Sequence, residues 1–180
     1  LIDEELGGTT PLEILIKFED DYEELTPDDL KEMTEEEIQE EREYIEAIRT
    51  KPELWFNPSK VQIIKKVHDY LDGLPEIGKV LSLASSVRVV EEIAEKELDG
   101  MDMALLYTKV PASVRRSLIE PFVSIGDNEA RLMARVMDSK PDLRREELLE
   151  TVRRDLGKKH GFGQLGTHKI LIKDVTVSGL

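Results

Sequence analysis

Apolar and polar residues alternate from Leu12 onward. Leu12, Ile14, Ile16 and Phe18 fall on one side, and Glu13, Leu15, Lys17 and Glu19 on the other. A period of two predicts a strand with one covered face over 11–18. The period changes at Val61, Ile64, Val67 and Leu71, which share a helical stripe with Ile63 and Tyr70 beside it. Gly73 and Pro75 predict its stop, and the charge-free run from Val80 to Ala84 predicts a short covered strand. Ser85 or Ser86 is then the expected cap of a helix with Val87, Val90, Ala94 and Leu98 on one face and Gly100 at its end. Two shorter helices are expected at Met103–Tyr107 and Ala112–Ile119, separated by Pro111. Strict alternation returns over 129–138. There Ala130, Leu132, Ala134 and Val136 oppose Arg131, Met133, Arg135 and Met137. Ser139-Lys140-Pro141-Asp142 initiates a helix carrying Leu148, Leu149, Val152 and Leu156, with Gly157 and Gly161 at its exit. Ile170, Ile172, Val175 and Val177 form a last strand over 170–179, with an irregularity expected near Asp174.

Between the first strand and the first long helix the pattern is of another kind. From Glu19 to Glu46 nearly every other residue is Asp or Glu. Thr26-Pro27-Asp28-Asp29 reads as a cap with Pro at the first helical position, and Thr34 with Glu37 as a capping box. Ile38, Ile45 and Ile48 give only a thin apolar stripe, so one or two weakly anchored surface helices are expected.

Setting aside 20–58 as an acidic insertion and 85–127 as a helical one leaves strand, helix, strand, strand, helix, strand. That is the βαββαβ order of a ferredoxin-like α+β fold with an antiparallel sheet, here as a single domain over 1–180. Its sheet order, 4-1-3-2, would make the first and last strands antiparallel neighbours. Both chain ends would then lie at one end of the sheet, with both insertions and the glycine loop 161–166 at the other.

Composition narrows the partners. The net charge of −14 argues against nucleic acid and anionic headgroups, because phosphate binding needs a basic surface. The absence of cysteine removes disulfides, thiolate catalysis and thiolate metal sites. Every apolar run is broken by charge well short of the roughly 20 residues that a membrane helix needs.

Motifs for chemistry are sparse. Gly161-Phe162-Gly163-Gln164-Leu165-Gly166 fits GxGxxG, but a helix precedes it and a strand follows, the reverse of what a pyrophosphate site requires. His68, His160 and His168 form no HExxH pair, although the last two flank the glycine loop and are the candidate metal pair if there is one. The acidic tract lacks the spaced calcium loop, and no G-x-S-x-G occurs. No catalytic residue, cofactor or metal is therefore expected. Arg144, Arg145, Arg153 and Arg154 form a basic helix side, read as pairing with the acidic tract, with an anion site as its other use. Trp55-Phe56 is read as an anchor of the acidic arm, with substrate contact as its other use. Met101, Met103 and Tyr107 belong to an adaptable apolar patch, either insert core or substrate surface.

Several long stretches resemble one transporter family. LIDEELGGTTPLEILI at the start, WFNPSKVQIIKKVHDYLDGLPEIGKVLSLAS, ALLYTKVPASVRRSLIEPFVS, DNEARLMARVMDSKPDLRREELLETVRRDL and the closing DVTVSGL are, in order and spacing, similar to resistance-nodulation-division exporters of the MMPL-like branch. The tract 20–54 does not take part in the likeness. The resemblance implies the first extracytoplasmic porter domain of a proton-driven inner-membrane pump, with a transmembrane helix on either side of 1–180. It implies no enzyme activity and no cofactor. The implied partners are the transmembrane helices and second porter domain of the same transporter, other copies of the full-length pump, and a hydrophobic or amphiphilic, lipid-like substrate. Trp55, Phe56, Met101, Met103 and Tyr107 would be its contact residues. A stand-alone ferredoxin-like ligand-sensing or regulatory domain is the rival reading.

Overall fold

A computed structural model describes residues 8–18, 25–137, 144–156 and 172–178. In chain order the elements are β1 Thr10–Phe18, α1 Asp29–Glu32, α2 Glu35–Thr50, α3 Pro52–Trp55, α4 Pro58–Asp72, β2 Ile77–Leu81, α5 Leu83–Ala94, α6 Gly100–Lys109, α7 Ala112–Leu118, β3 Val123–Ser124, β4 Glu129–Val136, α8 Arg145–Leu156 and β5 Ile172–Ser178. The protein is a mixed α and β fold built on an open antiparallel sheet with the order β2–β4–β1–β5. The two-residue β3 pairs with β4 at Ala130 and Glu129, beyond the point where β2 ends opposite Met133.

One face of the sheet carries the core. Leu12, Ile14, Ile16 and Phe18 of β1 lie beside Ala130, Leu132, Ala134 and Val136 of β4, all buried, as the two alternating patterns predict. Val61, Ile64, Val67 and Leu71 of α4 cover them, together with Leu83 and Val87 of α5 and Leu148, Val152 and Leu156 of α8. Burying each such side chain is worth about 1.5–3 kcal/mol, which is why helix positions at a 3.6 period and strand positions at a period of two meet here. Polar contacts also fix the helices to one another. The Lys65 ammonium donates to both carboxylate oxygens of Glu91 at 2.7 and 2.9 Å, joining α4 to α5. The Tyr70 hydroxyl donates to Asp155 at 2.8 Å, joining α4 to α8.

The segment after α4 departs from expectation. The covered strand is Ile77–Leu81, not Val80–Ala84, because Leu83 and Ala84 already open α5. Ser82, rather than Ser85 or Ser86, is the N-cap: its Oγ accepts from the Ala84 N–H at 3.1 Å, and Ser85 Oγ returns the bond to the Ser82 N–H at 3.2 Å. An apolar run suits either element, and the cap decides between them. The helical insertion thus begins before residue 85. Gly100 does not close α5. That helix ends at Glu95, in the left-handed region with φ +52°, and Ala94 is exposed. Gly100 opens α6, where a Cβ would stand 2.6 Å from the Phe56 carbonyl oxygen.

In the acidic tract the Thr34–Glu37 capping box forms. Thr26 caps at one remove: its Oγ accepts from the Asp29 N–H at 3.3 Å, and Asp29 accepts from the Thr26 N–H at 2.8 Å, so α1 starts at Asp29 and Pro27 stays in the turn. None of the side chains described on α2 is buried. At the other end of the chain the expected irregularity is present. Lys17 pairs with Asp174 but Phe18 with Ile172, a slip of one residue.

Candidate functional site

Phe18, at the end of β1, is the point to which the acidic arm returns. Trp55 stands edge-on to it, with ring centroids 5.9 Å apart, and Phe56 edge-on to Trp55 at 5.0 Å. Tyr107 of α6 meets Phe56 at 5.4 Å. Pro52 at the start of α3 and Asn57 at the cap of α4 set the short turn that turns both aromatic rings inward. Asn57 Oδ1 accepts from the Lys60 N–H at 2.9 Å. Trp55 and Phe56 are 2% and 1% exposed, so this pair anchors the arm on the core. Met103, on the inner side of α6, is buried as well, whereas Met101 is 82% exposed and Tyr107 is half-buried. The five expected contact residues therefore do not share one surface. Four join a single interior cluster, and Met101 points away from it.

Lys60 belongs to the same cluster and had no signal in the sequence, where it looks like an ordinary surface lysine of a helix. It is 2% exposed, and its ammonium lies 5.7 Å from the Phe18 ring centre and 5.4 Å from that of Trp55. Cations are drawn to the electron-rich faces of aromatic rings, which lowers the cost of holding this charge inside. The Trp55 Nε1–H is buried without a hydrogen-bond partner.

A second buried polar group lies between α4 and α5. His68 Nδ1 is 2.9 Å from Ser82 Oγ, at the N-terminus of α5. Burial, followed by the nearby Arg88 charge, holds His68 below the usual imidazole range, against the opposing pull of Asp72 and Asp69. Ser82 is wholly buried, so the pair cannot present a nucleophile to solvent. Among the described residues no three His, Asp or Glu side chains converge to hold a metal ion. His160, His168 and the glycine loop lie outside the described residues. Of the basic helix side, Arg144 pairs with Glu147 at 2.7 Å and Arg154 with Asp155 at 3.0 Å.

The other face of the sheet is accessible: the described side chains that β1, β2 and β4 turn outward are exposed or half-buried. Cross-strand register sets its rows. Lys79 of β2 lies opposite Arg135 of β4, which lies opposite Pro11 of β1. In the next row come Leu81, Met133 and Glu13, then Arg131 beside Leu15. Arg131 and Glu13 form an ion pair diagonally across two rows. A groove of about 460 Å³ runs over the first two rows, and a smaller one of about 230 Å³ lies beyond Arg131, against Glu120, Val123 and Glu129. The alternation in β4 identified Arg131, Met133 and Arg135 as outward-facing; which residues of β1 and β2 stand beside them depended on strand pairing.

No helix among the described residues is long and apolar enough to cross a membrane. Comparison of the chain with protein families, curated proteins and solved structures gives no match.

Proposed function

We propose that this chain is the extracytoplasmic porter domain of a proton-driven exporter of the resistance-nodulation-division, MMPL-like type, and that its fold is ferredoxin-like. It would be no enzyme. It would form part of the path and the shape-selective surface for a hydrophobic or amphiphilic substrate, moved by rocking of domains rather than by covalent chemistry. The observation that carries this reading is the pairing of the first and last strands. β1 and β5 are antiparallel neighbours, with Glu13 opposite Ser178, so the start of β1 and the end of β5 lie at the same end of the sheet. A domain inserted between two transmembrane helices needs that arrangement. The strand order β2–β4–β1–β5, together with long helices after β1 and β4, supports the ferredoxin-like assignment. The sheet face left open would receive the second porter domain or the substrate.

The natural reading frame tests this. Its product is expected to carry about 20 apolar residues close before Leu1 and close after Leu180, and to fractionate with membranes. The chain itself has no cysteine, so a Met101→Cys change in the full-length protein, with any cysteines elsewhere removed, introduces one exposed thiol. A membrane-impermeant maleimide should label it in cells with an intact inner membrane. A reading frame that begins near Leu1 and stops near Leu180, or a thiol labelled only after lysis, defeats the proposal. The alternative, a stand-alone ligand-sensing or regulatory domain, draws on the groove of the open sheet face, and the same test separates the two.

A further inference from the structure

Helix α5 opens the helical insertion, and polar contacts tie it to α4. Lys65 donates to Glu91, Arg88 donates to Asp69, and His68 meets the N-cap Ser82. The last of these differs from the ion pairs, because its surroundings fix where the proton sits. Ser82 Oγ accepts from the Ala84 N–H at 3.1 Å and, in the capping box, from the N–H of Ser85. A hydroxyl oxygen has two lone pairs and one hydrogen. With both lone pairs turned to the start of α5, the hydroxyl is left to donate, and among the described residues its acceptor is His68 Nδ1, 2.9 Å away. His68 is therefore neutral here, with its proton on Nε2. Both side chains are buried, so bulk water does not stand in for either partner.

A proton added at Nδ1 turns this acceptor into a donor. Two hydrogens then face each other across the contact, and a cation stands at the positive end of the α5 dipole. Buried polar groups left unpaired are costly, and so are buried charges. The neighbouring charges do not offset this. Burial and Arg88 of α5 oppose the cation more strongly than Asp72 and Asp69 of α4 favour it, and Asp69 is already engaged by Arg88. The charged residues of β2 and β4, which are Lys79, Glu129, Arg131 and Arg135, line the other face of the sheet. Asp155 of α8 is engaged by Tyr70.

We infer that the contact between His68 and Ser82 is a proton-operated clasp: uptake of one proton at His68 Nδ1 frees the first turn of α5 and loosens the helical insertion while the sheet keeps its fold. Opening there exposes Leu83, Ala84 and Val87, the buried residues of α5. It also reaches α7, because the Ser86 hydroxyl donates to the Leu118 carbonyl oxygen at 2.7 Å. The next link along α5 outlasts mild acid. Burial opposes the ionisation of Glu91, but its hydrogen bonds from Lys65 and the Leu98 N–H hold it below the usual value of 4.5, so α5 is released from its N-terminus first. Such a clasp is a property of this chain alone and does not rest on the exporter reading.

The test is amide hydrogen exchange of the 180-residue chain at pH 7.5 and 5.5, with the intrinsic pH dependence of exchange divided out. Protection over 83–94 should lie below that over 129–136 at both pH values, as local opening requires. It should fall by up to about tenfold per pH unit below 6.5, the limit for uptake of one proton. The ring nitrogen shifts of His68 at pH 7.5 should show the Nε2–H tautomer. His68→Asn sets an acceptor oxygen where Nδ1 stands and cannot take up the proton, so the response of α5 should vanish in it. Protection over 83–94 that equals that over 129–136, or that does not change with pH, overturns the inference, and so does the Nδ1–H tautomer. A response retained in a His68→Asn variant that melts like the parent at pH 7.5 overturns it as well. If that variant does not fold, the tautomer and the exchange of the parent decide. Failure here leaves the exporter reading to its own test of flanking helices.

Discussion

His68 shows how one residue links packing to pH. It is buried between α4 and the N-terminus of α5, where burial, Arg88 and the positive end of the helix dipole all disfavour its cation. Below the ordinary value of 6.5 the unfolded chain takes up a proton that the folded chain resists. Stability is therefore highest above pH 6.5 and falls as pH descends from there through the folded value. Thermal melts between pH 8 and 5 should show a plateau and then a decline, and His68→Gln should flatten that decline. Glu91 and Asp155 do not confuse the window. Burial opposes their ionisation, but hydrogen bonds from Lys65 and Tyr70 respectively, with other partners, hold both below their usual values of 4.5 and 3.8, so their losses come at lower pH. An unchanged slope in the variant would show that His68 contributes nothing to the acid response. Lys60 teaches the complementary lesson. A lysine at a helix surface position reads as solvated, and only the return of Trp55 onto Phe18 makes it an interior charge.

At the scale of the element, β4 and α2 stand at opposite extremes. β4 is an interior strand, paired on both sides, with Leu132 fully buried and Arg131 half-exposed on the other face. Leu132→Ala should cost about 3 kcal/mol through lost burial and a cavity. Arg131→Ala should cost under about 1 kcal/mol, since its ion pair with Glu13 is open to solvent. Denaturant melts that rank the arginine change as the more damaging would place the wrong face inward. Helix α2 spans 16 residues with a sound capping box and no buried side chain among those described. Caps set where a helix begins, but packing supplies most of its stability. Amide hydrogen exchange is therefore expected to be much faster over 35–50 than over 129–136. Comparable protection in the two would mean that the acidic helix has a cover.

At the scale of the whole molecule the question is how the ends are held. Glu13 and Ser178 are register partners on adjacent antiparallel strands, where Cα atoms lie about 4.5–5.5 Å apart. That separation is compatible with a disulfide. In the double variant Glu13→Cys, Ser178→Cys the parent contributes no other thiol, and oxidation should join the two within one chain. A disulfide-linked dimer at low protein concentration would show instead that β5 is exchanged between copies. The long segments after β1 and β2 leave the sheet at the opposite end from Thr10 and Ser178, so their size does not disturb the paired ends.

The sequence by itself determined the covered faces. The alternation in β1 and β4 and the stripe in α4 are direct traces of one-sided burial, so Leu12, Leu132 and Leu71 could be assigned inward before any strand was paired. Caps that use neighbours three residues apart, such as Thr34 with Glu37, were legible for the same reason: the partners are local. What only the tertiary structure decided involves residues far apart in the chain. The run from Val80 to Ala84 suits a strand or a helix, and the boundary at Ser82 is set where β2 leaves β4 after the Leu81–Met133 pair and the α5 cap takes over. Gly100 is a stop signal by type, yet it stands first in a helix capped by Asp99, at a place where the Phe56 backbone, distant in sequence, leaves no room for a Cβ. The groove follows the same logic. Lys79 and Arg135 lie 56 positions apart and meet only through the pairing of β2 with β4 and a bulge between them, an arrangement without any trace in local periodicity.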